Sequence, residues 1–224
     1  MKTVRVVIRV DASAEIGSGH LMRCLTLANE LAELEIQVTF LCHHLPKHLA
    51  GQIFAGGHQL TRLKEPWPIA LPNDGTDLLI IDHYQADHDW LQAMRHQAMK
   101  IMVIDDLAER RHDCDLLLNQ NLHATLTHYS HLVPQDCTLL LGPDYALLRP
   151  EFYRLAQQTK ERSSIQRILV AVGGSDPHQL TERILQELND SSWAIDVVMG
   201  AASPRHGVIE SLCLKNQGRL TLHI

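Results

Sequence analysis

One stretch constrains the fold more than any other: Arg9-Val10-Asp11-Ala12-Ser13-Ala14-Glu15-Ile16-Gly17-Ser18-Gly19-His20-Leu21-Met22-Arg23-Cys24. It joins an apolar, β-branched run at residues 4–10 to an amphipathic run at residues 21–34. The first reads as a buried strand and the second as a helix. In an α/β protein such a strand-to-helix loop opens at the carboxyl edge of the sheet, where ligands bind. Gly17 and Gly19 let the backbone take positive φ and come close to a ligand. His20 falls at the helix start, beside N–H groups that have no partner within the helix. An imidazole there is placed to act as a general base above an anionic site. A glycine turn with an incidental histidine accounts for the same tripeptide equally well, since short glycine motifs recur by chance.

The same pattern returns along the chain. Apolar runs at residues 36–42, 58–63, 77–82, 100–104, 115–118 and 137–141 read as strands. Several are apolar throughout, as for strands covered by helices on both faces. Right-handed crossovers then give parallel pairing. Helices are expected within residues 43–54 and over 90–98. Residues 64–76 hold Pro66, Pro68, Pro72 and Gly75 and form a loop, either a surface connection or a lid beside the site. The strands keep ending in ligand-binding residue types: Asp11, Asp82-His83-Tyr84, Asp105-Asp106, and Asn119 with Asn121. Helix capping and Asx-turns explain single cases; repetition on one sheet edge favours a site.

Past Arg149-Pro150, which starts a helix, residues 160–164 are polar and read as a linker. A second strand–loop–helix pattern then begins: a strand at 167–172, the loop Gly173-Gly174-Ser175-Asp176-Pro177, and a helix at 179–188. A strand at 195–199, a helix at 209–214 and a strand from 220 follow. The expected organisation is a Rossmann-like domain over 1–160 and a partial one over 165–224, too short for an ordinary α/β domain.

Composition narrows the function classes. A net charge of -6 argues against a broad nucleic-acid face. No apolar run reaches the ~18 residues of a spanning helix, and the start lacks a signal-peptide pattern. A cytoplasmic protein without membrane or nucleic-acid partners is expected. The five cysteines are widely spaced without Cys-x-x-Cys, as for reduced small residues rather than a disulfide framework or zinc site. His43 or His44 with His48 could pair as ligands, but no third ligand accompanies them, so neither metal nor cofactor is expected. Trp67, Trp90 and Trp193 read as packing residues, and Arg110-Arg111-His112 as a solvated turn.

Taken together, Gly17-Ser18-Gly19-His20, Asp82-His83-Tyr84, Ile104-Asp105-Asp106, Asp115-Leu116-Leu117-Leu118-Asn119, Gly142-Pro143-Asp144-Tyr145-Ala146-Leu147-Leu148-Arg149-Pro150-Glu151-Phe152 and Val172-Gly173-Gly174-Ser175-Asp176 occur in order. This series resembles the UDP-2,4-diacetamido-2,4,6-trideoxy-β-L-altropyranose hydrolases of pseudaminic acid biosynthesis, over essentially the whole chain. The resemblance implies an α/β fold of two Rossmann-like domains of glycosyltransferase-B type, related to the MurG glycosyltransferases, with the second incomplete here. It implies metal-independent attack of water at the anomeric carbon, releasing UDP and 2,4-diacetamido-2,4,6-trideoxy-L-altrose. It maps the catalytic histidine onto His20 and a tyrosine of the site onto Tyr84. Members of the family continue further, into uracil- and ribose-binding residues. The residues here would supply the sugar side and the start of the phosphate side.

The chemistry assigns expectations residue by residue. An oxocarbenium-like transition state needs an oriented water, a base and donors for the leaving diphosphate. His20 is the base. Loop N–H groups of Gly17, Ser18 and Gly19, and of Gly173 and Gly174, would hold phosphate. Tyr84 and Asp106 would hold sugar hydroxyl or acetamido groups, and Asp11, Asn119 and Asn121 lie on the same edge. The expected partner is a UDP-sugar, bound by a monomer. A glycosyltransferase using the same base on an acceptor hydroxyl, and a non-catalytic nucleotide-sugar-binding module, are the alternatives. A dinucleotide fold is disfavoured: the third glycine of Gly-x-Gly-x-x-Gly is missing, and Cys42-His43-His44 stand where an acidic residue belongs.

Overall fold

Seven short apolar segments of the first part of the chain pair side by side into one parallel sheet. In the computed structural model, which describes residues 4–224 apart from 14, 69, 73, 74, 160–162, 174, 175, 177, 201 and 202, the chain divides into two units, Met1–Leu155 and Ala156–Ile224. The strands of the first are β1 (Arg5–Val10), β2 (Gln37–Cys42), β3 (Gln59–Arg62), β4 (Thr76–Asp82), β5 (Ala98–Ile104), β6 (Leu116–Asn119) and β7 (Thr138–Leu141). Their order is β3-β2-β1-β4-β5-β6-β7. The helices are α1 (Gly19–Glu33), α2 (Lys47–Ala55), α3 (His88–Met94), α4 (Leu126–Tyr129) and α5 (Pro150–Ala156).

The alternation of strand side chains explains why both faces are covered. Val6, Ile8 and Val10 of β1 enter one core with Leu21, Cys24, Leu25 and Ala28 of α1. Those helix positions recur at the spacing of one apolar stripe. Val7 enters the opposite core with Leu79, Ile81 and Leu91. Leu21 is fully buried, so Leu21→Ala removes a helix–sheet contact worth about 2–5 kcal/mol. Arg9 shares the Val7 face and is also fully buried, which the site below explains.

The sheet grows from β1 toward β3 on one side and from β4 toward β7 on the other. The strand order therefore changes direction between β1 and β4, and a crevice opens at their carboxyl ends. Val10 is in register with Asp82, so the loops after both strands meet there.

The second unit is a three-stranded parallel sheet, β10-β9-β8, from β8 (Arg167–Val170), β9 (Ala194–Val198) and β10 (Leu220–His223). With α6 (Leu180–Glu187) and α7 (His206–Lys215) it encloses a small core of Val170, Leu185, Ile195, Val197 and Ile209. Among the described residues no helix is long and apolar enough to cross a membrane.

Two local expectations are corrected. The helix expected over 90–98 is α3, which starts earlier and stops at Met94. The Asp87 carboxylate accepts the Trp90 N–H at 2.8 Å, Gln97 N–H closes on the Met94 carbonyl at 2.9 Å, and Ala98 pairs with Thr76 in the sheet. The short helix expected within 43–54 is α2, which begins at Lys47, after Pro46. Arg110-Arg111-His112 is not a solvated turn: His112 is buried, and Arg110 donates to the carbonyls of Ala86 and His83. Both face the buried Asp105 carboxylate, at 3.4 Å from Arg110 and 3.6 Å from His112.

Candidate active site

Ser18 occupies the N-cap of α1, so Gly19 and His20 are its first two residues. That start projects the His20 ring over the β1–β4 crevice, with its side chain only 11% exposed. His20 Nδ1 lies 2.6 Å from Asp82 Oδ1, at the end of β4. One turn along α1, Arg23 donates Nε to Asp82 Oδ2 and Nη2 to Asp82 Oδ1, each at 2.6 Å. Arg23 Nη2 also lies 3.1 Å from Nδ1, but the shorter contact to the Asp82 acceptor places the ring proton on Nδ1, so the lone pair of Nε2 meets no partner among the described residues. Burial pulls the Asp82 carboxyl up, but the Arg23 and His20 hydrogen bonds outweigh it and hold the group below its ordinary value. Asp82 is therefore an anion that orients the imidazole and would stabilise its protonated form.

A cavity of about 570 Å³ opens in front of this pair, within the size range of small-molecule sites. His20, Asp82, Tyr84, Ile16, His43 and His44 are among its walls. Asp11 also lines it, but both oxygens are engaged. Arg9 bonds them at 2.7 and 2.9 Å, the backbone N–H groups of His43 and His44 reach Oδ1, and His83 Nε2 lies 3.3 Å from Oδ2. Burial raises this carboxyl and the His83 and Arg9 contacts more than offset it, leaving it well below the usual carboxylate range. Asp11 thus ties the end of β1 to the loop after β2. The proline-rich segment forms a further wall: Pro66 lines the cavity, its carbonyl accepts Arg9 Nε at 3.0 Å, and Trp67 stacks between Arg9 and Trp90. Trp67 and Trp90 are packing residues.

Tyr84 meets His20 edge to face, with ring centroids 4.8 Å apart. Its hydroxyl donates to Asp106 Oδ2 at 3.2 Å, and Arg23 Nη1 approaches the same oxygen at 3.4 Å. Partial burial and the Asp106 charge push the phenol up, so it remains a donor. Asp106 Oδ1 is buried without a partner among the described residues. Asp106 and Asn121 also line a second cavity of about 400 Å³ above β5 and β6. Asn119 lines it too, but its amide donates to Tyr129, which donates in turn to Asp105. Asn119 thus belongs to a buried scaffold.

The glycine loops differ in what they offer. Gly17 has φ +79° and donates its N–H to the Ser13 carbonyl at 2.8 Å, which closes the loop. The donors that face outward are then those of the first turn of α1, from Ser18 onward. In the second unit Gly173 has φ +100° and Gly174 lies outside the described residues. Asp176 accepts the N–H groups of Leu180 and Thr181 at 2.8 and 3.0 Å, so the start of α6 is already capped by the chain's own carboxylate.

Sequence reading placed His20, Tyr84 and Asp106 on one edge, and the structure joins them into one network. That reading named Asp82 only among the polar strand ends, without a role, and did not single out Arg23. The available signal was Asp82 at the end of an apolar strand and Arg23 one turn after His20. Among the described residues, no three His, Cys, Asp or Glu side chains are grouped to hold a metal ion.

No model of a known protein family matches the chain. It is 32% identical over 203 residues to the UDP-2,4-diacetamido-2,4,6-trideoxy-β-L-altropyranose hydrolase of Campylobacter jejuni, covering 90% of this chain and 71% of that protein. Two solved structures share its fold. A glycosyltransferase from Rickettsia africae superposes with a TM-score of 0.53 at 12% identity, over 100% of this chain and 68% of the other. MurG of Acinetobacter baumannii superposes with a TM-score of 0.51 at 13% identity, over 99% of this chain and 67% of the other. The fold is thus of the glycosyltransferase-B type that the sequence led us to expect.

Proposed function

This chain belongs to the family of the UDP-2,4-diacetamido-2,4,6-trideoxy-β-L-altropyranose hydrolase, and from that premise we propose that it hydrolyses a UDP-linked diacetamido-trideoxy sugar at the anomeric carbon–oxygen bond. The observation that carries this reading is the His20–Asp82 pair at the mouth of the β1–β4 cavity. His20 Nε2 takes a proton from a water molecule, whose oxygen attacks the anomeric carbon. The bond from that carbon to the diphosphate oxygen breaks, and its electron pair leaves with UDP. A diphosphate is a good leaving group, so the protein needs a base and charge stabilisation more than a strong acid. Asp82 keeps the Nδ1 proton in place and balances the charge that His20 acquires, as in other Asp–His pairs.

Arg23 holds the arrangement together. Its guanidinium bridges Asp82, behind the base, to Asp106, behind Tyr84. Tyr84, backed by Asp106, is positioned for hydroxyl or amide N–H groups of the sugar, and Asn121 offers a further contact. N–H groups at the start of α1 are donors for the diphosphate. Gly173 belongs to the phosphate side in this reading. We take the UDP-sugar to be the only partner, bound by a monomer.

The test is turnover in water enriched in oxygen-18, without any acceptor. Label in the free sugar and none in UDP is the expected result. Label in the terminal phosphate of UDP means phosphorus–oxygen cleavage and overturns the reading. UDP release only when an acceptor alcohol is added makes the protein a transferase.

A further inference from the structure

The five cysteines are scattered along the sequence, yet two of them meet. Cys114 Sγ and Cys137 Sγ lie 3.7 Å apart. They stand just before β6 and β7, at the amino edge of the sheet, away from the cavities at the carboxyl edge. The Thr138 N–H, bonded to the Asp115 carbonyl at 2.8 Å, holds the starts of these strands side by side. A disulfide needs the sulfurs at about 2.05 Å, so the two must approach by roughly 1.7 Å from their 3.7 Å separation. The two thiols are not equivalent. Cys114 is 1% exposed, whereas Cys137 is half-buried and open to a small reagent.

The surroundings divide the roles. The two sulfurs are within hydrogen-bond reach, and that contact pulls the Cys137 thiol down and pushes Cys114 up. Arg95, paired with Asp113 and Asp115, adds positive charge beside both, while Asp115 and Asp136 oppose it. Reactive cysteines are those that are partly exposed and held as thiolate. Cys24, Cys42 and Cys213 are all buried.

We propose that Cys114 and Cys137 form a reversible disulfide on exposure to peroxide. The Cys137 thiolate attacks one peroxide oxygen, the O–O bond breaks, and hydroxide leaves, giving a sulfenic acid. The Cys114 sulfur then attacks the Cys137 sulfur; the S–O bond breaks and water leaves with the Cys114 proton. Two thiols are oxidised and one peroxide is reduced to two waters. A dithiol reverses the bond by exchange. The bridge would clip the ends of the segment 115–136, which carries Asn121 and α4, a wall of the second cavity. This site does not depend on the reaction proposed above.

The test is a thiol count on the denatured chain, before and after hydrogen peroxide, with peptide mapping under non-reducing conditions. The count should fall from five to three, with Cys114 linked to Cys137 in the same chain, and dithiothreitol should restore it. Cys137→Ser should keep its four remaining thiols at the same dose. Mapping of the wild-type chain decides alone if that variant does not fold. Five thiols retained, loss without the 114–137 linkage, or a bridge between chains overturns the proposal.

Discussion

Asp82 receives the Nδ1 proton of His20 at 2.6 Å on one oxygen and Arg23 Nε at 2.6 Å on the other. That relationship decides which nitrogen of His20 faces the cavity. Asp82→Asn keeps the volume but can present an amide donor to Nδ1, favouring the wrong tautomer. Turnover should fall on the order of 10²–10⁴-fold. Urea unfolding should also show a loss of about 1–3 kcal/mol, because Arg23 loses a buried charged partner. Wild-type turnover in this variant would remove Asp82 from the mechanism.

Tyr84→Phe keeps the ring edge against His20 and removes only the hydroxyl bonded to Asp106. The expected result is a rise in KM of roughly tenfold, the worth of about one hydrogen bond, with kcat changed less. Steady-state kinetics separates the two. A fall in kcat with KM unchanged would mean that Tyr84 acts on the transition state instead.

Stability toward acid should rest partly on Asp11 and Asp82. Both carboxyls are held below their ordinary values in the folded chain. The unfolded chain therefore binds protons first as pH falls. The stabilisation is full above the unfolded value of about 3.9 and is lost as pH drops through the lower folded values. Asp11→Asn should lower stability at neutral pH by about 3 kcal/mol or more, since buried Arg9 loses its partner. It should also flatten the acid limb of stability against pH, measured by urea melts between pH 7 and 3. An unchanged limb would mean that Asp11 carries no such load.

Gly17→Ala isolates backbone strain. A methyl group there meets no atom within 4 Å, but φ is +79°. The expected cost is about 1–2 kcal/mol, read from thermal or urea unfolding. A loss several times larger would mean that the loop around Ser13 packs more tightly than this geometry indicates.

The fold was legible because its signals are local. Uninterrupted apolar runs such as Leu78 to Ile81 mark doubly covered strands, and Gly17 to His20 marks the first loop. What escaped is carried by contacts distant in sequence. Asp82 is 62 positions from His20, and nothing near it announces an orienting carboxylate. Asp11 reads as a ligand-facing residue until Arg9, buried in an apolar strand, claims it. Asn119 lies on the expected edge, but Tyr129, from the short helix α4 that no pattern announced, takes its amide. The Arg110–His112 turn faces inward for a similar reason: the buried Asp105 needs donors. Polar residues on a sheet edge are readable as candidates, whereas their partners decide which remain available to a ligand.

The central claim is that His20 is the base and Asp82 its support. Its most direct test is the initial rate of UDP release from the UDP-linked diacetamido-trideoxy altropyranose, comparing the wild-type chain with His20→Asn. Melting temperatures are measured on the same samples. The predicted result is a loss on the order of 10²–10⁴-fold with the melting temperature little changed. A folded His20→Asn protein that releases UDP at close to the wild-type rate would contradict it.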